Sequence, residues 1–194
     1  MSLDHDVAVD LFTRDQGALR FGYPGNREAL VADTDGNLTI TGELTVGSLA
    51  QNVRATKTAT EANATTTPDD VDDLALSLAV ATYDFRFYIP YQQSVTGNGV
   101  DLRLKSSGAP TSSFLAYSIA VQSTDTTRTQ FQKTAFDDPV QTVSVTTANK
   151  SYLMEIFGRI IVTAAGILQP QFAIGTGTGG TVTLQPSWAS ATPL

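Results

Sequence analysis

The sequence predicts an all-β protein: an N-terminal extended arm and a short intertwined β stem, followed by a jelly-roll-like β-sandwich. Short runs in which apolar and polar residues alternate recur along the chain, as in half-buried strands. Clusters of Gly, Pro, Asn, Asp and Ser separate these runs, as turns do. Charged residues make up only 16% of the chain, against about 25% in typical proteins, and Thr, which suits a pleated surface, is frequent.

Residues 1–28 form the predicted attachment arm. Apolar side chains alternate there with charged and polar ones, and a Pro24-Gly25 turn follows. Such a segment docks on another surface or forms the first strands of a domain, and the pattern leaves both interpretations open. The residues assigned to attachment are Val7, Val9, Leu11, Phe12, Leu19, Phe21 and Tyr23.

Residues 29–67 form the predicted stem and linker. Asp35-Gly36 lies between two alternating runs, which is a strong hairpin signal. Two six-residue frames follow, NLTITG and ELTVGS, each too short to bury its apolar face within one chain. Their apolar residues are therefore predicted to pack against further copies of the chain: Leu38, Ile40, Leu44 and Val46. Residues 50–67 lack apolar periodicity and are interpreted as a linker that ends near Pro68.

Residues 68–194 form the predicted sandwich domain, with about seven or eight short strands. The segments YDFRFYIPY and VDLRL are predicted to pair as a hairpin with their charged residues on the outer face. YLMEIFGRIIV is long enough for a helix. Its β-branched and aromatic residues, with Gly158 in the middle, favour a strand.

The composition argues against several function classes. Net charge is -7 and no basic run is present, which disfavours nucleic acid as a partner. No apolar run approaches the roughly 18 residues of a membrane span, so no membrane insertion is expected. The N-terminus lacks the apolar core of a secretory signal, which predicts synthesis in a cytosol without export. The chain has no Cys, which excludes disulfides and thiolate sites.

The sequence predicts no catalytic residue, no cofactor site and no metal site. His5 is the only His, so a histidine metal centre has too few ligands. A Ser-His-Asp triad would depend entirely on His5 in the N-terminal arm, and the sequence contains no G-x-S-x-G motif. The DTDGN segment resembles the start of a calcium loop, but Leu38 and Leu44 occupy positions that need Gly and Glu. GTGTGG at 175–180 precedes a predicted strand where a phosphate loop requires a helix. The aspartates within 69–73 are interpreted as a solvated turn or as a patch for a cation or basic partner. The protein is therefore not expected to be an enzyme.

Three segments of the sandwich domain support a family resemblance. They are TTTPDDVDDLALSLAVATYDFRFYIPYQQSVTGNGVDLRL, MEIFGRIIVTAAGILQPQFAIGTG and TVTLQPSW. In this order they resemble the C-terminal β-sandwich head of tailed-bacteriophage fibre and decoration proteins. ALVADTDGNLTITGELTVGS resembles the trimeric stem of such proteins.

The resemblance implies a homotrimeric structural protein on the virion surface. It does not imply a location on the head or on the tail. The shortness of the chain, 194 residues, favours a capsid decoration protein or head fibre, docked on the major capsid protein or another virion protein. The alternative is a tail fibre or receptor-binding protein that recognises a host-surface glycan or protein.

Three loops, 92–99, 106–113 and 175–181, are the predicted ligand-binding surface under that alternative. Their candidate residues are Gln92, Asn98, Thr111, Thr176 and Thr178. Four aromatic residues, Tyr88, Tyr91, Tyr117 and Trp188, are interpreted either as ligand contacts or as core and subunit-interface packing.

Overall fold

Strands pair antiparallel throughout the structure, a computed structural model that describes residues 10–15, 18–22, 30–32, 38–40, 52–141, 144–175 and 179–194. The chain divides into two compact units, Met1–Leu49 and Ala50–Leu194. No helix occurs among the described residues. The predicted all-β class is confirmed, whereas the jelly-roll order stays a prediction.

The N-terminal unit contains one four-stranded sheet in the order β1-β2-β3-β4. Its strands are β1 (Asp10–Asp15), β2 (Ala18–Gly22), β3 (Leu30–Ala32) and β4 (Leu38–Ile40). β3 pairs with β4, so the strands on either side of Asp35-Gly36 form the expected antiparallel pair.

The predicted arm and the first stem repeat share this sheet, because β2 pairs with β3. The predicted boundary at residue 28 therefore lies inside one sheet, because strands on both sides of it pair with each other. Strands β1, β2 and β4 contain six of the predicted arm and stem residues: Leu11, Phe12, Leu19, Phe21, Leu38 and Ile40. The other five lie outside the described residues: Val7, Val9, Tyr23, Leu44 and Val46.

The C-terminal unit contains fourteen strands in its described residues. The first seven are β5 (Val53–Lys57), β6 (Glu61–Asn63), β7 (Asp69–Asp70), β8 (Leu76–Leu78), β9 (Thr82–Gln93), β10 (Val100–Leu104) and β11 (Thr111–Gln122). The others are β12 (Arg128–Lys133), β13 (Val140–Gln141), β14 (Tyr152–Ala164), β15 (Gly166–Leu168), β16 (Pro170–Ile174), β17 (Val182–Leu184) and β18 (Ser187–Pro193).

Two sheets make this unit sandwich-like. The large sheet has eight strands and runs β12-β11-β14-β9, after which β17 and β18 both pair with β9 along its remaining edge. β6 then pairs with β17, and β5 pairs with β18. The small sheet runs β13-β10-β16-β7, and β8 pairs with β15 separately. The segment YLMEIFGRIIV lies within β14, as predicted.

The predicted hairpin between YDFRFYIPY and VDLRL is wrong. β9 belongs to the large sheet, whereas β10 pairs with β13 and β16 in the small sheet. Both strands bury their apolar side chains in one hydrophobic core. The alternation therefore indicates the buried face of each strand correctly, but the two faces contribute to the same core from different sheets.

Residues 52–67 belong to the C-terminal unit and include β5 and β6, where the sequence indicates a linker up to Pro68. Two buried polar side chains explain the missing periodicity. Lys57 is buried against Glu61 at 2.8 Å. Asn63 is buried as well and donates to the carbonyl oxygens of Thr67 and Phe172, each at 3.0 Å. β5 and β6 therefore have polar residues at buried positions, where the alternating pattern of a strand would have apolar ones.

The core contains the inward side chains of both sheets. The longest contribution comes from β9, whose alternate residues are buried: Tyr83, Phe85, Phe87, Ile89 and Tyr91. Val100, Leu102 and Leu104 contribute from β10. The opposite side chains of β9 point to the outer face, which is defined here as the face of the large sheet turned away from the small sheet.

Candidate ligand-binding groove

An aromatic pair lies at the centre of the outer face. Trp188 on β18 is paired in register with Tyr88 on β9. Their rings stack with centroids 5.7 Å apart and planes inclined by 9°. The guanidinium carbon of Arg86 lies 6.0 Å from the centroid of the Trp188 ring, at the limit of a cation–π contact. Trp188 is nevertheless 41% exposed, so much of a large apolar side chain faces solvent beside a cation.

A groove of about 420 Å³ lies over strands β5 and β18, within the usual range of ligand sites. It is called the indole groove below. Trp188 forms its apolar wall, and Ala55 and Ala189 also line it. Its polar lining comes from outer-face residues of the two strands and from Asn52 just before β5: Asn52, Arg54, Thr56, Ser190 and Thr192. Strand alternation places these side chains on one face, because they are two residues apart along each strand.

The neighbours of Trp188 fix the side on which the groove lies. Trp188 pairs with Tyr88 on one flank and with Thr56 on the other. Tyr88 therefore supports the indole from the β9 side, and the groove opens on the β5 side. A ring held in this way loses little side-chain entropy when a ligand packs on it, which favours binding.

A buried carboxylate positions Arg86. Glu155 on β14 is only 2% exposed although it lies on the outer face. It accepts hydrogen bonds from Arg86 on one side, with an Nε–Oε1 distance of 3.0 Å, and from Arg128 on the other. Both guanidiniums are about half exposed. Glu155 therefore joins β9, β14 and β12 across the outer face and holds Arg86 beside the aromatic pair.

A second ion pair lies on the same face, outside the groove. Arg159 donates to the Asp84 carboxylate at 2.7 Å and 3.0 Å. This hydrogen bonding lowers the pKa of Asp84 below its ordinary value of 3.8. Asp84 therefore stays ionised through mildly acidic pH, and Arg159 stays paired.

The predicted ligand loops do not form one surface. Loops 92–99 and 175–181 are adjacent, because the Thr181 N–H donates to Ser94 Oγ at 2.8 Å. Loop 106–113 follows β10 and contacts Gly166–Leu168 through the Gly108 carbonyl, at the opposite end of that strand.

The candidate residues of these loops are placed as follows. Gln92 lies on β9 and donates to Ser151 Oγ at 3.0 Å. Asn98 is buried, and Thr111 is exposed at the start of β11. Thr176 and Thr178 lie outside the described residues.

The four aromatic candidates divide into two pairs. Tyr91 and Tyr117 are core residues whose hydroxyl groups donate to the carbonyl oxygens of Gln122 and Ala135, each at 2.7 Å. Tyr88 and Trp188 lie on the outer face. The alternation within YDFRFYIPY assigns Tyr88 to the outer face, but no sequence signal identifies Arg54 or Asn52 as groove residues.

Within the acidic segment 69–73, Asp69, Asp72 and Asp73 are exposed, whereas Asp70 is half-buried and paired within the protein. Lys105 and Gln171 both donate to Asp70. Burial raises the pKa of Asp70, but these hydrogen bonds outweigh it, and the net direction is downward. Within the described part of the chain, no three potential metal-ligating side chains come together.

Comparison of the chain with protein-family models, curated proteins and solved structures found no match. In the described ranges no helix is long and apolar enough to cross a membrane.

Proposed function

We propose that this chain is a non-enzymatic structural protein of a tailed-phage virion, a homotrimeric capsid decoration protein or head fibre on the virion surface. It docks on the major capsid protein or another virion protein through its N-terminal arm, residues 1–28, and it projects the sandwich-like unit outward. The support is the sequence resemblance together with the division of the chain at Leu49/Ala50.

The observation that carries the proposal is the sheet of short strands in the N-terminal unit. The four described strands of the N-terminal unit have only three to six residues each. Sheets of short strands gain stability from a packing partner, which copies of the same chain or a virion surface supply.

Native mass spectrometry of the full chain tests the homotrimer. A trimer at micromolar concentration is expected, and a stable monomer would overturn the stem. Electron microscopy of particles that carry a tagged copy tests the location. Label on the capsid supports a decoration protein or head fibre, label on the tail supports a tail fibre, and unlabelled particles contradict a virion role.

A second candidate function is recognition of a host-surface glycan or protein by the C-terminal unit. The exposed indole of Trp188 beside a groove with polar side chains favours it. Binding of the full chain to host cells tests this function, with Trp188→Ala as the variant. Binding that the variant loses supports recognition through the groove, and absence of binding by the full chain argues for decoration alone.

A further inference from the structure

The net charge of the outer face is opposite in sign to the net charge of the whole chain. Its described charged residues are four arginines, Arg54, Arg86, Arg128 and Arg159, and two carboxylates, Asp84 and Glu155. The face therefore has a net charge of +2, the four arginines less the two carboxylates, on a chain of net charge -7. A surface with this segregated charge attracts anions and repels cations.

Arg54 concentrates this charge in the indole groove. It is exposed on β5 and lines the groove next to Trp188. Arg86 also lies close to the indole of Trp188, and its guanidinium donates to Glu155. A guanidinium offers two parallel N–H groups that match a carboxylate, which makes Arg54 the anion-binding group of the groove.

The remaining lining suits a sugar ring. Asn52, Thr56, Ser190 and Thr192 present an amide and three hydroxyl groups, which both donate and accept hydrogen bonds. A pyranose has an apolar C–H face that packs on an aromatic ring and hydroxyl groups around its rim. The groove combines the flat apolar wall of Trp188 with polar groups at its edge, so its chemistry matches both parts of a sugar.

We propose that the indole groove binds a carboxylate-bearing carbohydrate, with a sugar ring packed on Trp188 and the carboxylate bound by Arg54. This inference rests on the second candidate function and specifies its ligand class and site. The site lies on a sheet face and is separate from the three predicted ligand loops.

The test uses the full chain on an array of neutral and acidic oligosaccharides, including uronic-acid oligomers, sialyllactose and lactose. Titration of the best acidic binder and of its carboxyl-reduced analogue follows. Since Trp188 is the only Trp, its fluorescence reports directly on occupation of the groove. Tighter binding of the acidic sugar and a shift in Trp188 emission on its addition are expected.

Three variants separate the roles of the groove residues. Arg54→Gln is expected to weaken acidic-sugar binding at least tenfold and to leave the carboxyl-reduced analogue nearly unaffected. Trp188→Ala is expected to abolish binding of both sugars. Arg159→Gln, a matched arginine on the same face outside the groove, is expected to change the affinity less than twofold. Far-ultraviolet circular dichroism checks that each variant folds.

The results that would contradict this proposal have different consequences for glycan recognition. Preference for neutral sugars, or acidic-sugar binding that survives Arg54→Gln, overturns the inference and leaves glycan recognition standing. Absence of binding to any sugar overturns the inference and also removes glycan recognition. A Trp188 emission that changes with protein concentration but not with sugar assigns the groove to contacts between copies, which overturns the inference.

Discussion

Gly158 shows how one missing side chain shapes the core. It lies on β14 between Tyr117 on β11 and Phe85 on β9. The rings of those two residues approach to a centroid distance of 6.4 Å. A Cβ at position 158 would lie 2.3 Å from the Ala116 carbonyl oxygen and 2.5 Å from the Cβ of Tyr117. Because one of these atoms belongs to the backbone, a rotamer change cannot relieve the contact.

Gly158→Ala is therefore expected to destabilise the protein by about 3 kcal/mol, the upper end of overpacking costs. The midpoint of urea unfolding measures it. Gly97→Ala is the matched control, because no atom lies within 4 Å of a Cβ built there, and it should change stability by less than about 0.5 kcal/mol. Equal midpoints for the two variants would contradict the packing argument.

The two carboxylates of the outer face, Glu155 and Asp84, should differ in the strength of their ion pairs because they differ in burial. Glu155→Gln removes the charge from a buried acceptor that two arginines share. Both arginines can regain water, so the expected loss is about 1.5–3 kcal/mol, the range of hydrogen bonds to charged groups.

Asp84→Asn is the control for this pair, because both Asp84 and Arg159 are about half exposed. Pairs of this kind contribute about 0–1 kcal/mol. Urea unfolding at neutral pH compares the two variants. If Asp84→Asn cost as much as Glu155→Gln, burial would not be the cause.

At the scale of elements, Asn63 attaches the short strand β6 to the small sheet. Its amide nitrogen donates to Phe172 of β16, and its side-chain oxygen accepts from the Thr65 N–H at 2.8 Å. Asn63→Ala leaves these partners without their hydrogen bonds, and a loss of about 2 kcal/mol is expected.

Hydrogen exchange locates this loss, since the amides of β6 and β17 should lose protection more than those of β14. Asn52→Ala, which changes an exposed Asn immediately before β5, should leave the exchange pattern unchanged. Uniform loss of protection across the unit would mean that Asn63 has no local role.

Single strands were predictable from the sequence, but their partners were not. β9 and β10 show the local alternation of a half-buried strand, and the structure buries their expected apolar side chains. Asp101 of β10 is an exception, because the pattern places it on the outer face and the structure buries it. β14 was recognisable from its β-branched and aromatic residues. β10 pairs with β16, which lies far along the chain. Local periodicity contains no information on such distant pairings. β5 and β6 were missed because Lys57 and Asn63 are buried through polar contacts.

The groove was less predictable than the fold. Its walls come from β5 and β18, near opposite ends of the C-terminal unit. Trp188 was recognisable as one of four aromatic candidates, because aromatic side chains serve ligand binding. Arg54 lies in a segment without apolar pattern, so its position beside Trp188 follows only from the pairing of the two strands.

At the scale of the whole molecule, two buried tyrosines predict how the protein responds to alkali. Burial raises the pKa of Tyr91 and Tyr117 well above the ordinary 10.0, and neighbouring Tyr152 and the Asp138 and Asp137 carboxylates add to this effect. The folded pKa exceeds the unfolded one, so this stability is complete below about pH 10 and is lost as pH rises further.

Absorbance at 295 nm and circular dichroism measured together test this prediction. At least two of the six tyrosines should ionise only as the fold is lost. In Tyr91→Phe, the number of tyrosines that ionise together with unfolding should fall by one. Ionisation of all six before any change in circular dichroism would contradict it.

The pairing of β5 with β18 has a consequence for biosynthesis. A chain leaves the ribosome N-terminus first, and the only described partner of β5 is the last strand of the unit. β18 lies between β9 and β5, so this edge of the sheet closes only after residues 187–193 have been synthesised, and such distant pairing slows folding. The indole groove forms in the same step, because β5 and β18 supply its walls. A chain that lacks residues 187–193 therefore lacks the groove.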